Sequence, residues 1–193
     1  MQERPTDELR REHELVLMVV EAMEREAGAI EAGEPVNRVR VAQMLDFARN
    51  FTDGCHHHKE EDVLFPALAD RSSAAAGAVN SLLRDHRAGR DAVQTIDRSL
   101  PDVDVDERDR DLVCENLERY ARVLRRHMAK EDLVLFPLAE LILDDLEQEI
   151  VADEFRRIEE LEAGLGEHER YRALARQLAR TAPAGYQDPR LAA

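Results

Sequence analysis

The chain has 193 residues, 36% of them charged and only 4% aromatic, and a formal net charge of −15. That acidity excludes nucleic acid and anionic membrane as main partners, since both demand a basic surface, and no apolar run approaches the ~18 residues that span a bilayer. Met1-Gln2-Glu3-Arg4-Pro5 lacks the apolar core of a signal peptide and Cys55 and Cys114 fall in no metal or redox spacing, so the expectation is a cytoplasmic protein with reduced cysteines.

Punctuation along the chain predicts helices only. Pro5-Thr6-Asp7 opens a first helix that runs to Gly33-Glu34-Pro35. Asn37 caps a second, reaching about Ala69, and Ser72-Ser73 precedes a third that stops at Leu100-Pro101. Asp106 starts a fourth, ending near Leu143. Short loops make neighbouring helices antiparallel. The expected fold is therefore all-α: an antiparallel up-down four-helix bundle over 1–143, with a helical extension over 144–180 packed on it and a frayed tail over 181–193. In the extension, Asp144-Asp145 caps one helical stretch, Gly164 and Gly166 break it, and Glu167 to Arg180 is helical again.

Each of the four main helices carries one inward stripe at three- and four-residue spacing. The first holds Leu9, His13, Val16, Val20, Met23, Ala27 and Ile30. The second holds Val41, Leu45, Ala48, Thr52, His56, Glu60 and Val63. The third lines up Val79, Leu82, His86, Gly89, Val93, Ile96 and Leu100, and the fourth Val113, Leu117, Tyr120, Leu124, His127, Glu131 and Leu138. Every stripe has a histidine among apolar residues.

The second and fourth helices also share a segment. His56-His57-His58-Lys59-Glu60-Glu61-Asp62-Val63-Leu64-Phe65-Pro66 aligns without gaps to His127-Met128-Ala129-Lys130-Glu131-Asp132-Leu133-Val134-Leu135-Phe136-Pro137, at an offset of 127 − 56 = 71. The stripe histidines of the first and third helices are offset by 86 − 13 = 73. The chain reads as a helix pair written twice, each copy H…H-x-x-x-E. Residues i and i+4 project to one side of a helix, so two such pairs about an approximate two-fold axis bring four histidines and two glutamates to one centre. Converging imidazoles and carboxylates in a dry core make a metal site, because each buried charge is otherwise costly. Nitrogen and oxygen donors without thiolate favour non-haem iron, then manganese; zinc usually takes fewer ligands. The Glu-x-x-His signature of ferritin-like sites is absent, with Asp53, Leu83 and Leu124 at the places three before the last three stripe histidines.

On these residues the chain resembles the hemerythrin-like proteins of the HHE cation-binding family. The matching features are Glu12-His13, the run Cys55 to Glu61, Leu64-Phe65-Pro66, Asp85-His86, and His127 to Glu131 with Leu135-Phe136-Pro137, over roughly residues 5–143. Gly164 to Tyr171 is similar to an extension of some bacterial members. The resemblance implies two non-haem iron ions with an oxo or hydroxo bridge. It makes Glu60 and Glu131 bridging ligands, and His13, His56, His86 and His127 terminal ones. It also implies a small diatomic gas or peroxide as partner and a protein that binds or reacts with that oxidant, peroxide decomposition being one form. Oxygen or iron sensing or storage is the alternative without turnover.

Dioxygen carriers of the family have five histidines on their iron pair, whereas only four lie on the stripes here. About two of twelve positions around the pair then stay open. His57, about 100° round the helix from His56, either adds a ligand, lines the pocket or packs at a helix interface. His168 and Tyr171 would cap the metals or their access path if the extension folds over an open bundle end. His58 faces solvent and Tyr120 is core. Pro66 and Pro137 either kink the helices beyond the ligands or end them.

Overall fold

A computed structural model describes residues 4–162 and 167–181. Among them six helical rods and no strand are present. The first, α1, is Pro5–Glu31. The second, α2, spans 38–69, made of Arg38–Phe47, a π-helical stretch Ala48–His57, a π turn Glu60–Leu64 and Phe65–Ala69. Ser73–Ser99 is α3. The fourth rod, α4, spans 107–142 and joins Glu107–Lys130, a π turn Glu131–Leu135 and Phe136–Ile142. Asp145–Glu162 is α5 and Glu167–Arg180 is α6. The expected caps are in place: Asn37, Ser72 and Asp106 accept from the backbone N–H groups of Arg40, Ala75 and Arg108, satisfying donors that a helix start leaves free. The expected breakers Gly164 and Gly166, and the tail from 182 onward, lie outside the described residues.

Two apolar clusters hold the rods together, and the stripes explain both. One gathers Leu9, Leu64, Phe65, Leu68, Leu82, Leu135, Phe136 and Phe155 among others. The other gathers residues such as Val16, Met23, Phe47, Phe51, Val93, Leu117 and Leu124, together with Tyr171 and Leu178 of α6. In each of α1 to α4 the stripe histidine falls where its residues pass from the one cluster to the other. α4 packs along α1 and α3, α6 lies on α1 and α2, and α5 touches α1 and α2.

Pro66 and Pro137 neither end nor interrupt α2 and α4. Proline lacks the N–H of an α-helical turn and its ring crowds the preceding carbonyl, and both are met by one wide turn just before it. The N–H of Phe65 bonds Glu60 O and that of Phe136 bonds Glu131 O, five residues back. Each π turn shifts the facing beyond it. Leu64 with Phe65 and Leu135 with Phe136 are therefore fully inward, while the stripe members Val63 and Leu138 are only half-buried.

Candidate metal centre

The six stripe residues converge, as do their donor atoms. His13, His56, Glu60 and Glu131 form one group and His57, Glu60, His86 and His127 another, in each of which one donor atom per residue lies within 4.8 Å of all the others. Glu60 belongs to both. Its Oε1 stands 3.4 Å from His56 Nε2, and its Oε2 3.3 Å from His86 Nε2 and 3.8 Å from His127 Nε2. Glu131 Oε2 likewise sits 3.3 Å from His13 Nε2 and 3.0 Å from His127 Nε2. Both carboxylates therefore touch histidines of both groups.

His57 is the residue whose place the stripe did not settle. It lies in the π-helical stretch, where more residues share each turn and neighbours are closer in angle than in an α-helix. Both His56 and His57 are buried as a result. Gly54 suits that stretch, since a Cβ there would stand 3.2 Å from the Arg49 carbonyl oxygen. The His57 ring stacks on His86 with centroids 3.8 Å apart. Burial, and then the charge of His86, hold its imidazole well below its ordinary pKa, so it is a neutral nitrogen donor.

The imidazoles are aimed by a ring of outer carboxylates. Nδ1 of His13 meets Asp132 at 3.1 Å, that of His56 meets Glu12 at 2.9 Å, that of His57 meets Asp53 at 3.2 Å and that of His86 meets Glu61 at 2.5 Å. Such partners leave Nε2 pointing to the centre and raise its basicity. Two of them cross between the copies. Glu61 and Asp132 both stand five residues after a motif histidine, and each holds the lone histidine of the other helix pair. Phe65 and Phe136 cross in the same way, stacking on His86 at 5.7 Å and His13 at 5.4 Å. These outer roles were not read from sequence, although the alignment of Glu61 with Asp132 carried the signal.

The donor set fits a cation. All four oxygens of Glu60 and Glu131, with Nε2 of His13 and His57, are buried without a hydrogen-bond partner, a costly state for polar groups. His86 Nε2 and His127 Nε2 are 3.2 Å apart, close to the ~3 Å between two donors at right angles about 2.1 Å from one ion. The electrostatics point the same way. Burial favours a neutral Glu60, but the charge of His56 and contacts with His127 and His86 keep its carboxyl well below the usual range. Burial also works against a charge on His127 and His13, yet the carboxylates win. Glu131 and Glu60 bring His127 up to about 10, and Asp132 and Glu131 bring His13 up to about 9. The centre demands positive charge.

A family model of the hemerythrin HHE cation-binding domain matches residues 4–139. The chain belongs to that family. No curated protein and no solved structure matches it. The hemerythrin match ends before α5, so the extension stands outside the part that defines the family.

The extension places its two candidate residues, His168 and Tyr171, outside both donor groups. His168 Nε2 stands 3.2 Å from Cys55 Sγ and 3.3 Å from Glu159 Oε1. Tyr171 packs on the rings of Phe47 and Phe51. The reason is the apolar face Tyr171, Ala175 and Leu178, which lays α6 along α1 and α2 rather than over the ligands. Cys55 is buried, which pushes its thiol up to about 12. His58 is half-exposed and pairs with Asp62, and Tyr120 is core.

Proposed function

We propose that this hemerythrin-family protein holds two iron ions and uses them to bind or reduce a small oxidant: dioxygen, peroxide or nitric oxide. The observation that carries the reading is the pair of overlapping donor groups that share Glu60. His13 and His56 would hold one ion and His57, His86 and His127 the other, with Glu60 and Glu131 between them. His57 thus supplies the fifth histidine. When bound, the iron pair supplies electrons to the oxidant. Iron is preferred to manganese because five imidazoles and two carboxylates form a mixed nitrogen and oxygen set.

The chain's own part is to hold the donors apart from water and leave a way in. Phe65 and Phe136 shield two of the histidines. A cavity of about 300 Å³ between α2 and α3 is walled by His57, Gly89, Arg90 and Tyr120 among others, and supports a route for a small molecule to the histidine cluster. Two histidines would face one ion and three the other, so room for the oxidant would lie beside His13 and His56. The architecture in this reading is an antiparallel four-helix bundle over 1–143 with the 144–180 extension packed on it. The opposite order of the two apolar clusters along successive helices supports it. Among the described residues no helix is long and apolar enough to cross a membrane, and two buried free thiols suit a reducing compartment such as the cytoplasm.

The test is anaerobic loading with ferrous iron, elemental analysis, and visible spectra after separate additions of air, peroxide and nitric oxide. Two irons per chain and a spectral response to at least one oxidant are expected. Less than one iron per chain, or silence toward all three, overturns the proposal. Repeated turnover of peroxide would make the protein an enzyme, and a stable adduct a binder.

A further inference from the structure

Behind His56 lies a buried ionic cluster that the metal centre does not use directly. Lys59 Nζ is sealed from solvent and donates to three carboxylates: Glu8 at 2.5 Å and Glu12 at 2.7 Å on α1, and Glu159 at 2.7 Å on α5. Phe155 of α5 covers it, the ammonium standing 5.7 Å from the ring centroid. Glu12 is the joint. Its Oε1 takes Lys59 and its Oε2 takes Nδ1 of His56 at 2.9 Å. Glu159 in turn meets His168 of α6, so both helices of the extension converge on this cluster. The three carboxylates surround a place for a cation, and Lys59 already fills it.

The second copy shows what the cluster adds. Lys130 occupies the position of Lys59 and meets Asp85 at 2.6 Å, the counterpart of Glu12. Among the described residues its other partner is the Ser81 hydroxyl, and no carboxylate from the extension reaches it. Asp85 is one methylene shorter than Glu12, and His127 Nδ1 is buried without a partner. The lysine–acid pair thus orients a histidine in the copy that the extension backs and not in the other.

We propose that Lys59 is a positioning residue through which α5 sets the hydrogen bond on His56, and so governs the ion held by His13 and His56. This rests on the di-iron reading above. Without Lys59 the Glu12 carboxylate has nothing fixing its far oxygen, and His56 Nδ1 loses a fixed acceptor. Without Glu159, Lys59 loses its link to the extension. An outer partner of a ligating histidine is worth about 10–100-fold in metal affinity.

The experiment compares Lys59→Met, Glu159→Gln and Lys130→Met in the full chain. The Nδ1–H resonance of the His56 ring is followed by NMR in metal-free protein, and iron binding by anaerobic titration. Lys59→Met is expected to shift that resonance and weaken the weaker-bound iron by about 10–100-fold. Glu159→Gln should move both in the same direction by less, and it decides the matter if Lys59→Met does not fold. Lys130→Met should move neither. An unmoved resonance in the folded variants overturns the proposal. So does a shifted resonance with unchanged affinity, or an equal loss in Lys130→Met. If the wild-type chain takes up no iron, the di-iron reading falls by itself and the resonance alone judges Lys59.

Discussion

In the first helix pair Lys59 is 0% exposed and Glu12 spans from it to His56; in the second, Lys130 is 44% exposed and Asp85 stops at the lysine. The two segments are aligned copies at the level of sequence, and their glutamates and histidines take equivalent places at the centre. Their surroundings differ because a single extension packs on one side only. Duplication thus gave two sets of ligands, while one later stretch of chain made their supports unequal. The same asymmetry reaches the donors: His57 is a histidine in the first copy where Met128 stands in the second.

Four experiments bear on that comparison. Glu60→Ala should have the largest effect, since Glu60 alone belongs to both donor groups. Elemental analysis should find both ions lost, whereas retention of one full ion would show that the groups are independent. The lysine pair comes next, read as stability. Lys59→Met leaves three carboxylates around an apolar side chain and should cost about 3–5 kcal/mol. Lys130→Met removes an exposed ion pair worth at most about 1 kcal/mol. Equal shifts in denaturant midpoint would erase the distinction between the two halves.

The pH dependence of the metal-free protein follows from His127 and His13, raised to about 10 and about 9 against the ordinary 6.5. A raised pKa contributes stability that is complete below pH 6.5 and is lost as pH climbs through the folded value. Thermal melts should therefore fall between about pH 6.5 and 10, by a few kcal/mol at ~1.4 kcal/mol per unit. Iron-loaded protein, in which the ions replace those protons, should fall less. Identical pH profiles for loaded and metal-free protein would remove the electrostatic argument for a cation. The smallest effect is expected from Asp85→Glu, which adds the missing methylene. If reach is what separates the halves, His127 Nδ1 gains an acceptor and stability rises by about 1 kcal/mol. An unchanged melt and an unchanged His127 resonance would mean that backing by the extension, not side-chain length, is decisive.

Much of the candidate site was legible because its signals are local. His56 and Glu60 share a helix face by spacing, as do His127 and Glu131, and the 71-residue offset pointed to their common centre. The caps at Asn37, Ser72 and Asp106 were equally plain. His57 was harder, because a residue beside a ligand on an α-helix belongs at its flank, and only the wide turns of Ala48–His57 bring both inward. The places of His168 and Tyr171 were not legible for a related reason. Their helix has its own apolar face, and which neighbour receives that face is not written in the spacing.

Sequence by itself determined the helices, the stripes, the repeated motif and the four stripe histidines with two glutamates, since each follows from the chemistry and period of nearby residues. Only the tertiary structure decided the acceptor behind each imidazole. The acceptors for His13 and His56 lie 119 and 44 residues away in the chain, beyond any periodicity. It also decided how each helix passes its proline and which copy the extension covers. Those choices depend on where unpaired backbone groups and apolar faces find partners, and partners exist only once the helices have packed.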